Sequence, residues 1–213
     1  MKKLKQGFLI SIEGIDGSGK STLANKLRDS LQKEKFPVVL TYEPGDTKIG
    51  KQFRTALQEK PYPMCDKTEF LLYAADRAQH IQDVIKPELY GKKIVISDRM
   101  ADSSLAYQGY GRGLDLGIIK KINEWVMECV KPDITLYIKV STTSAVERLK
   151  KRKGRPTSIE KEKEAFTKKV VEGFDTIFKN RSDVIILDGE QSEQMLHKIA
   201  HANIINFLRN RQN

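Results

Sequence analysis

The residues best able to do chemistry lie together near the start of the chain. Gly14-Ile15-Asp16-Gly17-Ser18-Gly19-Lys20-Ser21 fits G-x-x-x-x-G-K-[ST], a loop that binds phosphate. Its glycines let successive backbone N–H groups curl around one anion. A helix beginning at the same place adds its positive end. Lys20 would reach the β- and γ-phosphates of a nucleoside triphosphate, and Ser21 would offer its hydroxyl oxygen to Mg²⁺. The context suits the motif. Phe8 to Ile12 is an apolar run of strand length before it, and Leu23, Ala24, Leu27 and Leu31 have helical spacing after it.

Asp98-Arg99 directly follows the apolar run Lys93–Ser97. The aspartate there could hold Mg²⁺ or its water, and the arginine would face the phosphates. Tyr73 and Arg77, four apart on a helix, share a face; one can stack on a base and the other can hold a phosphate or a base edge. Ser103 to Gly113 mixes short hydroxyls, aromatic rings, Gln108 and three glycines. It suits reading a base and a sugar, with Gly109, Gly111 and Gly113 expected to form a flexible loop. Arg148 to Arg155, RLKKRKGR, holds six basic residues and no acid. Such a run is ordinarily a solvated face. Placed after a strand on the ligand side, it could close as a basic flap.

The elements needed to position these groups alternate. Strands are expected at Phe8–Ile12, Pro37–Tyr42, Lys93–Asp98, Ile134–Val140 and Val184–Leu187. Helices are expected between them: Thr47 capping one through Leu57, Asp66 capping one to about Leu89 with a kink at Lys86-Pro87, then Asp102–Gln108, Leu116–Val130, one from Thr143 or Ser144, and Ile159–Phe178, with a last helix at the C-terminus. Nearly all-apolar strands alternating with helices imply an α/β fold, a doubly wound parallel sheet of about five strands with helices on both faces. Ligands then sit beyond the carboxyl ends of the strands, where the groups above converge.

Composition narrows the class. The chain has 213 residues, 39% hydrophobic and 31% charged, with a formal charge of +10. It reads as one domain, 1–213, with a mobile basic lid at about 148–160. No apolar run is long enough to span a membrane. The basic start, Met1-Lys2-Lys3-Leu4-Lys5, is followed by a run that Glu13 interrupts, which reads as the first strand and not a signal peptide. Cys65 and Cys129 make no disulfide framework and no metal spacing, pointing to a cytoplasmic protein. His197 and His201, four apart, lack a third ligand and read as surface residues; His80 reads as structural.

Taken together, these residues resemble the thymidylate kinase family. The resemblance is carried by Glu13 to Thr22, Glu43-Pro44-Gly45, the Tyr73 to His80 segment, and Asp98-Arg99 with Ser103 to Gly113. It runs over nearly the whole chain and implies a P-loop nucleoside monophosphate kinase fold. The implied reaction is ATP + dTMP → ADP + dTDP, in a cytoplasmic homodimer using Mg²⁺, with no nucleic acid or membrane partner. By resemblance, Gly14, Ile15, Asp16, Gly17, Ser18, Gly19, Lys20, Ser21 and Thr22 would hold ATP, with Arg148 and Arg152 nearby. Ser21 and Asp98 would hold the metal, partly through the nucleotide. Glu43 and Pro44 would line the monophosphate pocket, and Arg54, Arg77 and Arg99 would bind the monophosphate, Arg77 also lying near the base. Tyr73 would stack on the base, Ser104 and Gln108 would read its edge, Tyr107 would crowd the 2′ position, and Asp16 would contact the 3′-hydroxyl. Lys20, Arg99, Asp16 and Arg155 would be the catalytic groups.

Gly17 stands where one family type has an arginine, so the chain resembles the bacterial type whose lid supplies that group. The family's R-E-P-G-G-T reads Tyr42-Glu43-Pro44-Gly45-Asp46-Thr47 here, and its lid D-R-[IF]-E reads Thr157-Ser158-Ile159-Glu160. The expected lid arginine is a serine, and Arg152 or Arg155 is left to replace it. The alternatives are a kinase for another (deoxy)nucleoside monophosphate or a deoxynucleoside, a nucleic-acid-stimulated P-loop ATPase suggested by the charge, and a weakened family member acting as a binding protein.

Overall fold

The computed structural model describes residues 2–59, 63–152, 157–160 and 162–212. Five strands, β1 (Phe8–Glu13), β2 (Val38–Tyr42), β3 (Ile94–Asp98), β4 (Ile134–Lys139) and β5 (Val184–Asp188), form one sheet in the order β2-β3-β1-β4-β5. Every pairing is parallel. The expected doubly wound sheet is therefore present, with the first strand at its centre.

Side chains alternate across the sheet. Phe8, Ile10, Ile12, Ile94, Ile96, Leu136 and Ile138 pack against α1 (Lys20–Lys33) and α9 (Glu193–Gln212), through Leu23, Leu27, Leu31, Ala200 and Ile204. On the other face Leu9 and Val95 meet Ile81, Ile85, Met100, Val126 and Met127. Tyr137 meets Phe174 and Phe178 of α8 (Glu164–Phe178). Each fully buried Leu, Ile or Phe contributes about 1.5 to 3 kcal/mol.

One buried row across the sheet is polar. Thr41, Ser97, Ser11 and Thr135 are register partners across β2, β3, β1 and β4, and all four are fully buried. Each hydroxyl has a partner: Ser11 donates to Thr135 Oγ1 at 3.1 Å, Ser97 donates to the Arg99 carbonyl at 2.7 Å, and Thr41 bonds Asp46 and His80.

The helices refine the expected pattern. Thr47 caps α2 (Lys48–Glu59) as expected, its Oγ1 accepting from the Gly50 N–H at 2.9 Å. The long helix from Asp66 is divided into α3 (Asp66–His80), a π-helical turn (Ile81–Ile85) and α4 (Lys86–Tyr90). Pro87 has no N–H to give the carbonyl four residues earlier, and the wider turn before it absorbs the mismatch. Cys65, not Asp66, occupies the cap position of α3; Asp66 is its first residue and acts there by charge. Pro61 and Tyr62 of the expected Pro61-Tyr62-Pro63 turn lie outside the described residues.

The largest departure concerns Gly109 and Gly111. They are not a flexible loop. After the short α5 (Ala101–Ser104), residues Leu105–Gly111 form a second π-helical segment. A Cβ on Gly109 would lie 2.4 Å from Leu116, and one on Gly111 would lie 2.7 Å from the Phe166 ring. These glycines let a helix pack closely, which composition alone reads as looseness. Gly113 lies beyond the helical segment, with φ +80°. Next come α6 (Leu116–Met127), ended by a left-handed Glu128, and α7 (Thr142–Lys151), capped by Ser141. Helix α8 begins at Glu164, later than the expected Ile159, because residues 158–160 form a turn.

Candidate active site

The carboxyl ends of the central strands open into a cleft of about 850 Å³. Its lining includes Asp16 to Thr22, Glu43, Pro44, Arg54, Tyr73, Arg77, Asp98, Arg99, Ser104, Tyr107, Gln108, Arg148 and Arg152. Gly14 and Ile15 lie just beneath: the Gly14 carbonyl accepts from Arg99 Nη1 at 3.0 Å and the Ile15 carbonyl from Lys20 Nζ at 2.8 Å. Arg155, with Lys153, Gly154 and Pro156, lies outside the described residues. Every other residue expected at the site is thus brought to one place.

The first wall is the glycine loop. Gly17 takes φ +83°, and a Cβ there would lie 2.4 Å from the Ala145 carbonyl oxygen, so only glycine fits. Lys20 opens α1 and is buried. Burial and the nearby Arg99 charge push its ammonium down to about 8. Ser21 Oγ donates to Asp98 Oδ2 at 2.5 Å, so the two expected metal oxygens meet.

The Arg99 turn joins this wall to the next. In-register pairing of Ile12 with Asp98 sets β3's end beside the loop, and the Arg99 N–H donates to the Ile12 carbonyl at 3.0 Å. Arg99 Nη2 reaches Asp16 Oδ1 at 2.7 Å and Tyr107 Oη at 3.2 Å. Burial would raise the Asp16 carboxyl, but the Arg99 and Lys20 charges win and hold it below its ordinary value. Arg99 adopts φ +78°, a left-handed conformation that costs a non-glycine residue about 1 to 3 kcal/mol and collects at functional sites.

The opposite wall rests on a buried ion pair. Arg77 is 1% exposed. Its Nε donates to Glu43 Oε2 at 2.8 Å, Nη1 to Asn123 Oδ1 at 2.7 Å, and Nη2 to Ser104 Oγ at 3.1 Å and the Met100 carbonyl at 3.3 Å. Glu43 Oε1 lies 3.0 Å from His80 Nδ1. His80 is thus structural as expected, and it holds the Glu43 carboxylate. Arg54 stands over the Tyr42 ring and donates to the Pro44 carbonyl at 2.7 Å. Gln108 donates to Glu69 Oε1 at 3.0 Å, and Arg112 also holds Glu69.

The described residues of the expected lid make short contacts. Arg148 donates to the Gly189 carbonyl at 2.7 Å. Arg152 pairs with Glu160 at 2.8 Å, and Glu160 also accepts from the Thr157 N–H at 2.8 Å. Ser158, standing where the family's lid arginine is expected, lines the cleft. Its N–H and Oγ–H hold the Gln58 and Leu57 carbonyls at the end of α2, at 3.1 and 2.7 Å.

Sequence reading missed the partners of these groups. Asn123 and Glu69 fix Arg77 and Gln108 from far along the chain, Glu13 reaches Arg99 through Ser103, and Ser158 ties its own segment to the end of α2. A faint signal existed for two of them: an acid ending an otherwise apolar strand, and an asparagine on the buried side of α6. His197 and His201 are also not simply surface residues. They are half-buried against α1, at 2.9 Å from Ser30 Oγ and 2.6 Å from Glu34 Oε1.

The Glu43 ion pair has a measurable consequence. Glu43→Ala leaves the Arg77 charge buried without its carboxylate, so urea unfolding should show a loss of about 3 to 5 kcal/mol. Burial opposes ionisation of Glu43, but Arg77 and the His80 hydrogen bond overcome it and lower its pKa. Its contribution is therefore present above the ordinary value near 4.5 and lost as pH falls through the lower folded value. A variant within about 1 kcal/mol of the parent, with the same acid limb, would remove the pair from this role.

Comparison with known proteins agrees with the geometry. The family model for thymidylate kinase matches residues 12–199. A thymidylate kinase from Halothermothrix orenii is 42% identical over 195 residues, covering 91% of this chain and 94% of that protein. One from Kosmotoga olearia is 40% identical over 192 residues, covering 90% and 92%. The crystal structure of thymidylate kinase from Ehrlichia chaffeensis superposes with a TM-score of 0.77 at 32% identity, covering 93% of this chain and 99% of that one. With this cleft, this sheet and these relatives, the chain belongs to the thymidylate kinase family.

Proposed function

We propose that the chain transfers the γ-phosphoryl group of ATP to dTMP, giving dTDP and ADP. The observation that carries this is the Arg99–Asp16 contact at 2.7 Å, where the glycine-loop wall touches the wall bearing Tyr73, Arg77, Ser104 and Gln108. A donor on one side and an acceptor on the other would meet there.

In this reading the loop N–H groups, Lys20 and Thr22 hold the ATP phosphates, with Arg148 and Arg152 beside them. Arg54 and Arg99 take the acceptor phosphate. Arg77, with most of its donors engaged by protein, stands at the base end with Ser104 and Gln108. Tyr73 stacks on the base, Glu43 and Pro44 line the pocket, Tyr107 crowds the 2′ position, and Asp16 meets the 3′-hydroxyl. An oxygen pair from Ser21 and Asp98 suits Mg²⁺, which binds through one or two protein oxygens plus substrate phosphates. The metal would neutralise charge on the β- and γ-phosphates. The attacking group is a phosphate monoester, mostly dianionic at pH 7, so no general base is required. The chain's task is alignment and charge neutralisation. We read 1–213 as one domain with its lid at about 148–160. The free, exposed Cys65 and Cys129 suit the reducing cytoplasm, and no described helix is long and apolar enough to cross a membrane.

Three exposed apolar side chains support a homodimer. On α6, Ile118 and Trp125 lie seven residues apart on one face, 58% and 78% exposed, and α3, which packs beside it, exposes Leu71. A second copy would cover this stripe. Trp125→Glu should shift sedimentation from dimer to monomer; a parent that is already monomeric would dismiss the stripe as an interface.

The decisive experiment is a coupled ADP-release assay with ATP over a panel of nucleoside monophosphates and deoxynucleosides. Preference for dTMP is expected, and Lys20→Ala should abolish transfer while the fold remains. Near-normal turnover by that variant, or no activity on dTMP, would end this reading. Arg155→Ala should lower kcat more than dTMP affinity. An unchanged kcat would transfer the lid role to Arg152, whose own alanine variant should then show the loss.

A further inference from the structure

Glu13 ends β1 directly before the glycine loop and is fully buried. Its Oε1 accepts the Met100 N–H at 2.7 Å, and its Oε2 accepts the Ser103 hydroxyl at 2.6 Å. Ser103 Oγ in turn receives Arg99 Nη1 at 3.0 Å. One carboxylate therefore grips Arg99 twice: through the backbone of the next residue, and through its guanidinium by way of a hydroxyl. It does so at a residue whose left-handed φ needs external restraint.

Keeping a carboxyl at this place is unfavourable. Burial, and then the Asp102 carboxylate, push it up to about 8, against the Ser103 and Met100 hydrogen bonds and the Arg99 charge; Lys20 also faces it from α1. A neutral residue of the same shape would avoid that cost. Groups that weaken a fold at its active site are retained for what they do there.

We infer that Glu13 is a positioning residue for phosphoryl transfer, holding Arg99 between the phosphate loop and the acceptor. This rests on the reading that Arg99 binds the acceptor phosphate. The arrangement is that of the carboxylate form, which is populated above about pH 8, so the kinetics are read there. Ser103 must give its proton to Glu13 to keep its lone pairs for Arg99. In Glu13→Gln the amide Oε1 can still accept the Met100 N–H. Its NH₂ cannot accept the Ser103 proton, so it competes with Arg99 for the hydroxyl oxygen.

The test compares the parent with Glu13→Gln, Ser103→Ala, Arg99→Lys and the Glu13→Gln/Arg99→Lys double variant. Steady-state ATP–dTMP kinetics are measured with thermal melting and with affinity for a non-hydrolysable ATP analogue. Glu13→Gln and Ser103→Ala should each lower kcat by about 10- to 100-fold. Melting should stay cooperative, and analogue affinity should stay within about twofold, because the loop itself is intact. In the Arg99→Lys background, Glu13→Gln should add little. An unchanged kcat, a parallel loss of analogue affinity, or full additivity with Arg99→Lys would overturn the inference. Should Glu13→Gln fail to fold, Ser103→Ala decides by the same criteria. A parent inactive on dTMP removes the functional reading and this inference together; an active parent with an indifferent Glu13→Gln removes this inference alone.

Discussion

The parallel, in-register pairing of β1 with β3 is the constraint on which the cleft depends. It places the glycine loop and the Asp98-Arg99 turn side by side, at the same edge and the same height. Both strands are buried on both faces, so apolar side chains alone would tolerate several alignments. The hydroxyl row from Thr41 through Ser97 and Ser11 to Thr135 removes that ambiguity. A slip of one residue would press these hydroxyls against the aliphatic layers without their partners, and unsatisfied buried polar groups cost about 1 to 3 kcal/mol each.

Charge organises the cleft above this frame. Three arginines come with carboxylate partners: Arg77 with Glu43, Arg99 with Asp16, and Arg112 with Glu69. Each pair ties residues distant in sequence, so each fixes one wall relative to another. The overall surplus of positive charge is a weaker guide. Much of it is spread over exposed helix surfaces, whereas the arginines in the cleft are individually committed.

The legible features are those whose physics is local. Three glycines and a lysine at fixed spacing announce a backbone that must curl, and Gly14, Gly17 and Gly19 all have positive φ. Thr47 announces a cap and fills it. Alternating apolar runs announce the buried parallel sheet. What escaped notice depends on residues far apart meeting. Asn123 reaches Arg77 across 46 positions and Ser103 reaches Glu13 across 90. Gly109 and Gly111 misled for a related reason. Glycine serves both open turns and tight packing, and only the Leu116 and Phe166 side chains reveal which is at work. Likewise the start of α8 is moved by Ser158, whose hydrogen bonds go to another helix.

The engagement of Arg77 bears on the entropy of recognition. A long, flexible side chain that must be ordered when a ligand arrives costs about 0.5 to 1.5 kcal/mol of the association energy. Glu43, Asn123, Ser104 and the Met100 carbonyl hold this guanidinium before any ligand arrives. The ordering cost is thereby moved from each binding event to the single event of folding. A ligand seated against this guanidinium would meet shape already present instead of shape acquired on contact.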